Sequence, residues 1–139
     1  MVAYSFKGRF EDRIRAKSKI QTIRAVGRKR HTRPGERLTL TTGDRFHPRQ
    51  IGSAVCESVR GITLYFGTAA TAPMVAIQVE GEDLGEIITD PAALDAFADA
   101  DGFGDWQALE DFWRETHAPL PPEWCGLLIR WGDSFEPAP

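Results

Sequence analysis

Long apolar runs and cysteines are scarce in this chain of 139 residues. No stretch approaches the roughly 18 consecutive apolar residues of a membrane-spanning helix, so none is predicted. The N-terminal segment lacks the long apolar core of a secretion signal, which favours a cytoplasmic location. Cys56 and Cys125 are the two cysteines, and in a cytosolic chain they are expected as buried thiols rather than as a disulfide.

The common signatures of cofactor and catalytic sites are also missing. The three histidines have no metal-ligand spacing, and the chain has neither a glycine-rich phosphate loop nor a Gly-x-Ser-x-Gly turn. The sequence therefore predicts no metal and no cofactor. At 42% hydrophobic and 27% charged residues, the composition is ordinary for a globular domain.

Charge is distributed unevenly along the chain. Residues 1–50 carry 14 of the 17 Lys and Arg with four acids, whereas residues 51–139 carry three basic residues and 16 acids. The two halves could neutralise each other across a folded interface. The pattern favours a basic face for a polyanion, because the cations cluster around one motif.

The hydrophobic pattern predicts an α+β fold: a small β-barrel of about six strands, with short helices inserted near the N-terminus and before the last strand. Residues 1–132 are expected to form one domain, and residues 133–139 a disordered tail. The expected strands lie at 2–6, 20–24, 37–41, 51–66 (one or two strands), 74–79 and 126–131. Gly61 is interpreted as a bulge or turn, and Gly81 follows the 74–79 strand.

Helices are predicted by end signals as well as by spacing. Phe10 and Ile14 mark a short helix over 10–16. Asp90-Pro91 and Asp105 are typical N-terminal caps, and Asp101-Gly102 ends the first of the two helices that they begin. The nearly apolar run over 126–131 predicts a central strand that is buried on both faces.

The segment Lys19-x-x-Thr22-x-Arg24 places a lysine, a hydroxyl and a guanidinium within six residues. On a regular strand, Thr22 and Arg24 share a face, and Lys19 joins them only if the chain bends before the strand. A partly buried Lys19 beside Arg24 would lose its proton more readily and could activate the weakly nucleophilic Thr22. The alternative is that Lys19 and Arg24 are solvated and that Thr22 simply favours a strand.

A basic loop follows this segment and is a candidate nucleic-acid contact. Its cations are Arg28, Lys29, Arg30 and Arg33, and Pro34-Gly35 ends it with a turn. Arg45 and Arg49 are expected to extend the basic patch. Asp101 is either a simple turn residue or an acid at the rim of a pocket.

These residues together resemble the ASCH domain family of the PUA-like superfold, over roughly Tyr4 to Trp131. The resemblance is carried by the segments Phe10…Ile14…Lys19-x-x-Thr22-x-Arg24, Pro34-Gly35-Glu36-x-Leu38-x-Leu40, Asp101-Gly102-Phe103 and Gly126-x-Leu128-Ile129-Arg130-Trp131. It implies a small pseudo-barrel with a positively charged cleft and an association with RNA.

The resemblance also implies an activity for some members. They are similar to an amidohydrolase that removes acetyl from acetylcytidine with a lysine, a threonine and a glutamate. Lys19 and Thr22 match the first two, and the glutamate falls near Asp101, which is one methylene shorter. Other members are reported to bind or cleave RNA.

Three functions follow as hypotheses. In the first, Lys19, Thr22, Arg24 and the 28–33 loop bind RNA, another single-stranded nucleic acid or a nucleoside. In the second, the chain hydrolyses an N-acetylated cytidine-type nucleoside, with Thr22 as nucleophile, Lys19 as base, Asp101 as acid and Arg24 at the oxyanion. In the third, it is a ribonuclease.

Overall fold

Two β-sheets and three short α-helices account for the regular structure of residues 2–79 and 85–139, the part of the chain that the computed structural model describes. The fold is therefore α+β, as predicted. The strands within these ranges are β1 (Val2–Ser5), β2 (Gln21–Arg24), β3 (Arg37–Gly43), β4 (Pro48–Val55), β5 (Ser58–Tyr65), β6 (Met74–Ile77), β7 (Glu86–Ile88), β8 (Glu123–Arg130) and β9 (Glu136–Pro137). The helices are α1 (Glu11–Arg15), α2 (Pro91–Ala100) and α3 (Trp106–Thr116), and a 3-10 turn at Gly8–Phe10 precedes α1.

The strands are hydrogen-bonded as two sheets. The first has the order β1-β3-β4-β9, with β1 parallel to β3, and the second has the order β2-β8-β5-β6-β7 and is antiparallel throughout. Over the described ranges the hydrogen bonds do not close the strands into one ring. One continuous hydrophobic core joins both sheets and the helices.

The structure has more strands than the six that the pattern predicted. The described residues form nine, because β7 and β9 are three and two residues long, too short to show alternation. The 51–66 interval contains most of β4 and all of β5. None of the helices among the described residues is long and apolar enough to cross a membrane.

The interpretation of Gly61 as a bulge or turn is wrong. Gly61 pairs with Leu127 inside the regular register of β5 and β8, and the chain turns at residues 56–57 instead. A Cβ atom on Gly61 would lie 2.7 Å from Gln78 Oε1, the end of a flexible side chain that can move aside. The predicted position of Gly81 lies outside the described residues.

Strand β8 is central, as predicted, because it pairs with both β2 and β5. Leu128 and Ile129 are buried on its two faces. It is not the last strand, since β9 follows it, so the helices α2 and α3 precede the penultimate strand. Cys56 is a buried free thiol, whereas Cys125 on β8 is exposed, so its predicted burial is wrong.

Side-chain caps fix the N-terminal ends of the helices α2 and α3. Asp90 accepts a hydrogen bond from the Ala93 backbone N at 3.1 Å, and Asp105 accepts one from the Ala108 backbone N at 2.8 Å. These contacts confirm both predicted helix starts. Asp101 follows α2 as its C-terminal cap.

The predicted disorder of residues 133–139 is wrong. Phe135 is buried, the Ser134 hydroxyl accepts a hydrogen bond from the Val55 backbone N at 2.9 Å, and Glu136–Pro137 pairs with β4. The tail approaches closely because Gly52 has no side chain, and a Cβ atom there would lie 2.5 Å from the Phe135 ring. A polar, proline-containing segment with one aromatic residue does not show this packing in its sequence.

We expect Phe135→Ala to lower the free energy of unfolding by about 3 kcal/mol, because it empties a buried aromatic site. Urea denaturation followed by circular dichroism measures this change. The matched control is Phe46→Ala, since Phe46 is 80% exposed, and its effect should stay below about 0.5 kcal/mol. Equal effects of the two substitutions would contradict the packing of the tail.

Candidate functional site

A cavity of about 370 Å³ opens beside the C-terminal end of β1, strand β2 and the helices α2 and α3. Its size is in the range of small-molecule sites. Aromatic rings form much of its wall, from Phe6, Phe10, Phe103, Phe112, Trp113 and Trp124. Lys19, Thr22, Arg24 and Asp101 all line it.

The bend that Lys19 requires is present just before β2. Helix α1 ends at Arg15, and Lys17 just beyond it has a φ of 61°. The backbone N of Lys19 then donates to Arg13 O at 3.0 Å. Ile20 N then donates to Ala100 O at 2.9 Å, which attaches this segment to the end of α2. Lys19 therefore lies outside the strand and is free of its alternation.

Gly102 makes room for the Lys19 side chain. Its φ of 99° is in the left-handed region, and a Cβ atom would lie 2.8 Å from Lys19 Cδ and 2.9 Å from Phe10 Cδ1. The glycine that ends α2 is thus also required by the packing of the cavity lysine.

The Lys19 ammonium is buried, with 3% of the residue exposed, so the alternative in which Lys19 is solvated is wrong. Nζ donates hydrogen bonds to the backbone oxygens of Gln21, at 2.8 Å, and Asp101. It also lies 4.0 Å from Asp101 Oδ1. Burial lowers the pKa of Lys19 to about 8, although the Asp101 carboxylate opposes the shift.

Asp101 is the buried acid of this pair. Burial raises the pKa of its carboxyl to about 6, with Lys19 and a hydrogen bond from Gln21 opposing the shift. Gln21 Nε2 donates to Asp101 Oδ1 at 3.4 Å, and Gln21 Oε1 accepts from Arg130 Nε at 3.1 Å. Asp101 is both a turn residue and a cavity residue, so the two interpretations of it are compatible.

Thr22 and Arg24 face the cavity together, as the strand alternation predicts. Arg24 Nε donates to Thr22 Oγ1 at 3.0 Å, and Arg24 Nη2 donates to Ser5 O at 2.8 Å. The guanidinium also lies over the rings of Tyr4 and Phe6, at 5.2 and 4.9 Å. The Thr22 hydroxyl hydrogen has no acceptor within the described ranges, so it is available to a ligand or a base.

The 28–33 loop does not line the cavity. Arg30 forms a two-pronged ion pair with Glu36, at 3.1 and 3.0 Å, so its charge is already compensated. His31 fixes the loop, because its ring contacts Tyr4 Oη at 3.0 Å and Ala25 O at 2.9 Å. Arg28, Lys29 and Arg33 are exposed and have no ion pair with the residues described here.

Of the two arginines predicted to extend the basic patch, one already has an acidic partner. Arg49 is paired with Glu11, and Arg45 lies 5.7 Å from the Phe46 ring centroid in the turn between β3 and β4. Neither lines the cavity. Of the basic half of the chain, only three described cations form ion pairs with acids of the other half: Arg13, Lys19 and Arg37.

His117 and the aromatic end of α3 were not predicted as site residues. The His117 ring stacks on Trp113 with 4.1 Å between centroids, and both line the cavity. Phe112, Trp113, Thr116 and His117 recur at helical spacing and all line the cavity. That spacing is the sequence signal that could have identified them, but it is equally typical of core packing.

No protein-family model, curated protein or solved structure gives a significant match to this chain. Among residues 2–79 and 85–139, no group of three or more His, Cys, Asp or Glu could hold a metal ion. The chemistry of the cavity is therefore the basis for a functional proposal.

The burial of Lys19 beside Asp101 leads to a specific prediction for the titration of Lys19. The Lys19 side-chain NMR signal should titrate with a midpoint near pH 8, and Asp101→Asn should lower that midpoint, because the carboxylate stabilises the ammonium. Asp99→Asn, which changes an exposed acid two residues away, is the matched control and should leave it unchanged. A midpoint near the ordinary lysine value of 10.5, or a rise in Asp101→Asn, would contradict the electrostatics described here.

Proposed function

We propose that this chain is a PUA-like domain of the ASCH type, and that its cavity binds the nucleoside unit of RNA, a nucleotide or a modified nucleoside. The observation that carries the proposal is the convergence of Lys19, Thr22, Arg24 and Asp101 on one cavity with aromatic walls. Aromatic rings stack on bases of any sequence, and a few fixed polar groups then orient the ligand.

The shape of the fold supports the ASCH and PUA-like part of the proposal. The first sheet combines a parallel pair with antiparallel ones, the second is antiparallel, and both share one core, which is consistent with a pseudo-barrel. The cavity lies where β1 and β2 meet the inserted helices. Lys19, Thr22 and Asp101, the residues at the positions of the family's catalytic groups, therefore line the same cavity.

The exposed loop suits a ligand that continues beyond the cavity. Ala25 lines the cavity, and Arg28 and Lys29 follow it after two residues with no ion pair to the described residues. Phosphates of an RNA strand whose nucleoside occupies the cavity would meet these cations. A free nucleoside would not need them, because it has no phosphate.

Cytidine binding, measured by isothermal titration calorimetry, tests the cavity. Thr22→Val removes a hydrogen-bonding hydroxyl at nearly constant volume and should weaken binding roughly tenfold. The combined Arg28→Ala and Lys29→Ala variant should bind cytidine like the unmodified protein, at low and high salt alike. Cytidine affinity that falls with salt and depends on the loop but not on Thr22 would refute the proposed site.

A second candidate function, hydrolysis of an N-acetylated cytidine-type nucleoside, is favoured by the protonation of the buried pair. The base must be a neutral Lys19 and the acid a protonated Asp101. Burial moves both groups toward those forms, by lowering the pKa of Lys19 and raising that of Asp101. These are the directions that general base and general acid catalysis at neutral pH requires.

The proposed reaction begins with attack of Thr22 Oγ1 on the acyl carbon, while the hydroxyl proton passes to Lys19. Arg24 already donates to Thr22 and stabilises the developing oxyanion with its remaining N–H groups. Asp101 gives its proton to the leaving amino nitrogen as the C–N bond breaks. Water then hydrolyses the acyl ester of Thr22, which releases acetate and restores the hydroxyl. Proton exchange with solvent returns Lys19 to its neutral form and Asp101 to its protonated form.

This assignment predicts both a mutational and a pH dependence of acetylcytidine turnover, followed by liquid chromatography. Thr22→Val and Lys19→Met should abolish turnover, whereas Lys29→Met, at an exposed lysine outside the cavity, should retain it. With pKa values of about 8 and about 6, the reactive form is about one part in a hundred near pH 7. Turnover should therefore decline below pH 6 and above pH 8.

Full turnover in Thr22→Val would eliminate Thr22 as the nucleophile. A rate that rises to a plateau above pH 8 would exclude Asp101 as the acid, while leaving Lys19 as the base. Absence of turnover in the unmodified protein, together with measurable cytidine binding, would leave a binding domain.

A further inference from the structure

The three histidines differ in which ring nitrogens the protein already uses. His31 has both nitrogens in hydrogen bonds, with Tyr4 and with Ala25 O. His47 contacts Asp44 in the turn between β3 and β4, outside the cavity. His117 lines the cavity, and its Nε2 has no hydrogen-bond partner among the residues that the structure describes.

Hydrogen bonds fix the tautomer of neutral His117. The Thr116 hydroxyl lies 2.8 Å from Phe112 O, and because a carbonyl only accepts, the hydroxyl must donate its single hydrogen there. Thr116 Oγ1 also lies 2.8 Å from His117 Nδ1, so in that bond the oxygen accepts and Nδ1 donates. The proton of the neutral ring is therefore on Nδ1, and Nε2 carries a lone pair.

The ring is also held in place. Its stacking on Trp113, at 4.1 Å and 14° between planes, and the bond to Thr116 restrict both its position and its rotation. Trp113 in turn packs edge-on against Trp124, with 4.6 Å between centroids. An oriented acceptor therefore lies among the aromatic rings that are proposed to stack on a base.

We infer that His117 Nε2 selects a base that presents an exocyclic amino N–H to it, as cytosine does. This inference rests on the proposed nucleoside cavity. Cytidine carries an amino group at the position where uridine has a carbonyl oxygen, and an N-acetylated cytidine keeps one N–H there. A carbonyl facing the Nε2 lone pair would find no donor, so uridine should be disfavoured.

The protonation state of His117 agrees with its role as an acceptor. Partial burial lowers the pKa of His117 below its usual range, so the ring is mainly neutral at pH 7. The titratable and charged groups that line the same cavity are Lys7, Lys19, Arg24 and Asp101. A backbone hydrogen bond at Trp113 opposes the shift, and burial is the larger effect.

The test is the ratio of cytidine to uridine affinity, measured by isothermal titration calorimetry at pH 7. We expect cytidine to bind about tenfold more tightly, since uridine would leave the acceptor facing a carbonyl. His117→Phe keeps a ring on Trp113 but removes the nitrogen, and it should bring the ratio close to one. His117→Gln, which offers a carbonyl oxygen as acceptor, should restore part of the preference.

His47→Phe is the matched control, because it removes an exposed imidazole outside the cavity and should leave the ratio unchanged. Equal binding of cytidine and uridine to the unmodified protein, or an unchanged preference in His117→Phe, would overturn the role of His117 and leave the nucleoside cavity standing. If neither nucleoside binds the unmodified protein, the proposed function itself fails, and this inference fails with it.

Discussion

The buried Lys19 ammonium, held by the backbone oxygens of Gln21 and Asp101, joins the start of β2 to the end of α2. A charge in this position costs free energy unless polar groups surround it, and the two carbonyls and the Asp101 carboxylate supply them. The same contacts fix where β2 begins and how α2 ends. The arrangement of the site therefore depends on this one desolvated cation.

Several features of the structure serve that arrangement. Gly102 leaves the space that the lysine side chain occupies, and the rings of Phe6 and Phe10 lie 5.3 and 5.0 Å from Nζ. Arg24 is anchored to Ser5 and holds the Thr22 hydroxyl from one side. The result is a cavity in which a hydroxyl, an ammonium and a carboxyl are fixed before any ligand arrives, and preorganisation of this kind makes electrostatic groups effective.

Local signals made part of this structure predictable from the sequence. The caps Asp90 and Asp105, the alternation around Leu38 and Leu40, and the shared face of Thr22 and Arg24 each follow from a spacing of a few residues. The bend at Lys19 could be stated only as a condition, because it depends on a contact between Ile20 and Ala100, 80 positions apart. The packing of the C-terminal tail also depends on a residue distant in sequence, because Gly52 leaves the space that Phe135 occupies.

Of the sequence features, the clustering of basic residues predicted the location of the site least well. The 28–33 loop is the most conspicuous basic run, yet Arg30 is neutralised by Glu36 and the loop lies outside the cavity. The helical spacing that His117 shares with Trp113 does not distinguish a cavity residue from a core residue. The significance of His117 comes from stacking on Trp113 and from the Thr116 hydrogen bond, which only the folded arrangement reveals.

The most direct test of the account is an NMR titration of the labelled protein with cytidine, followed at assigned backbone amides and tryptophan indole groups. We predict saturable shifts of the Thr22 amide and of the Trp113 and Trp124 indole signals, with little change at Arg28 and Lys29. Shifts confined to the 28–33 loop, or no shifts at all, would contradict the claim that the cavity around Lys19 and Thr22 is a nucleoside site.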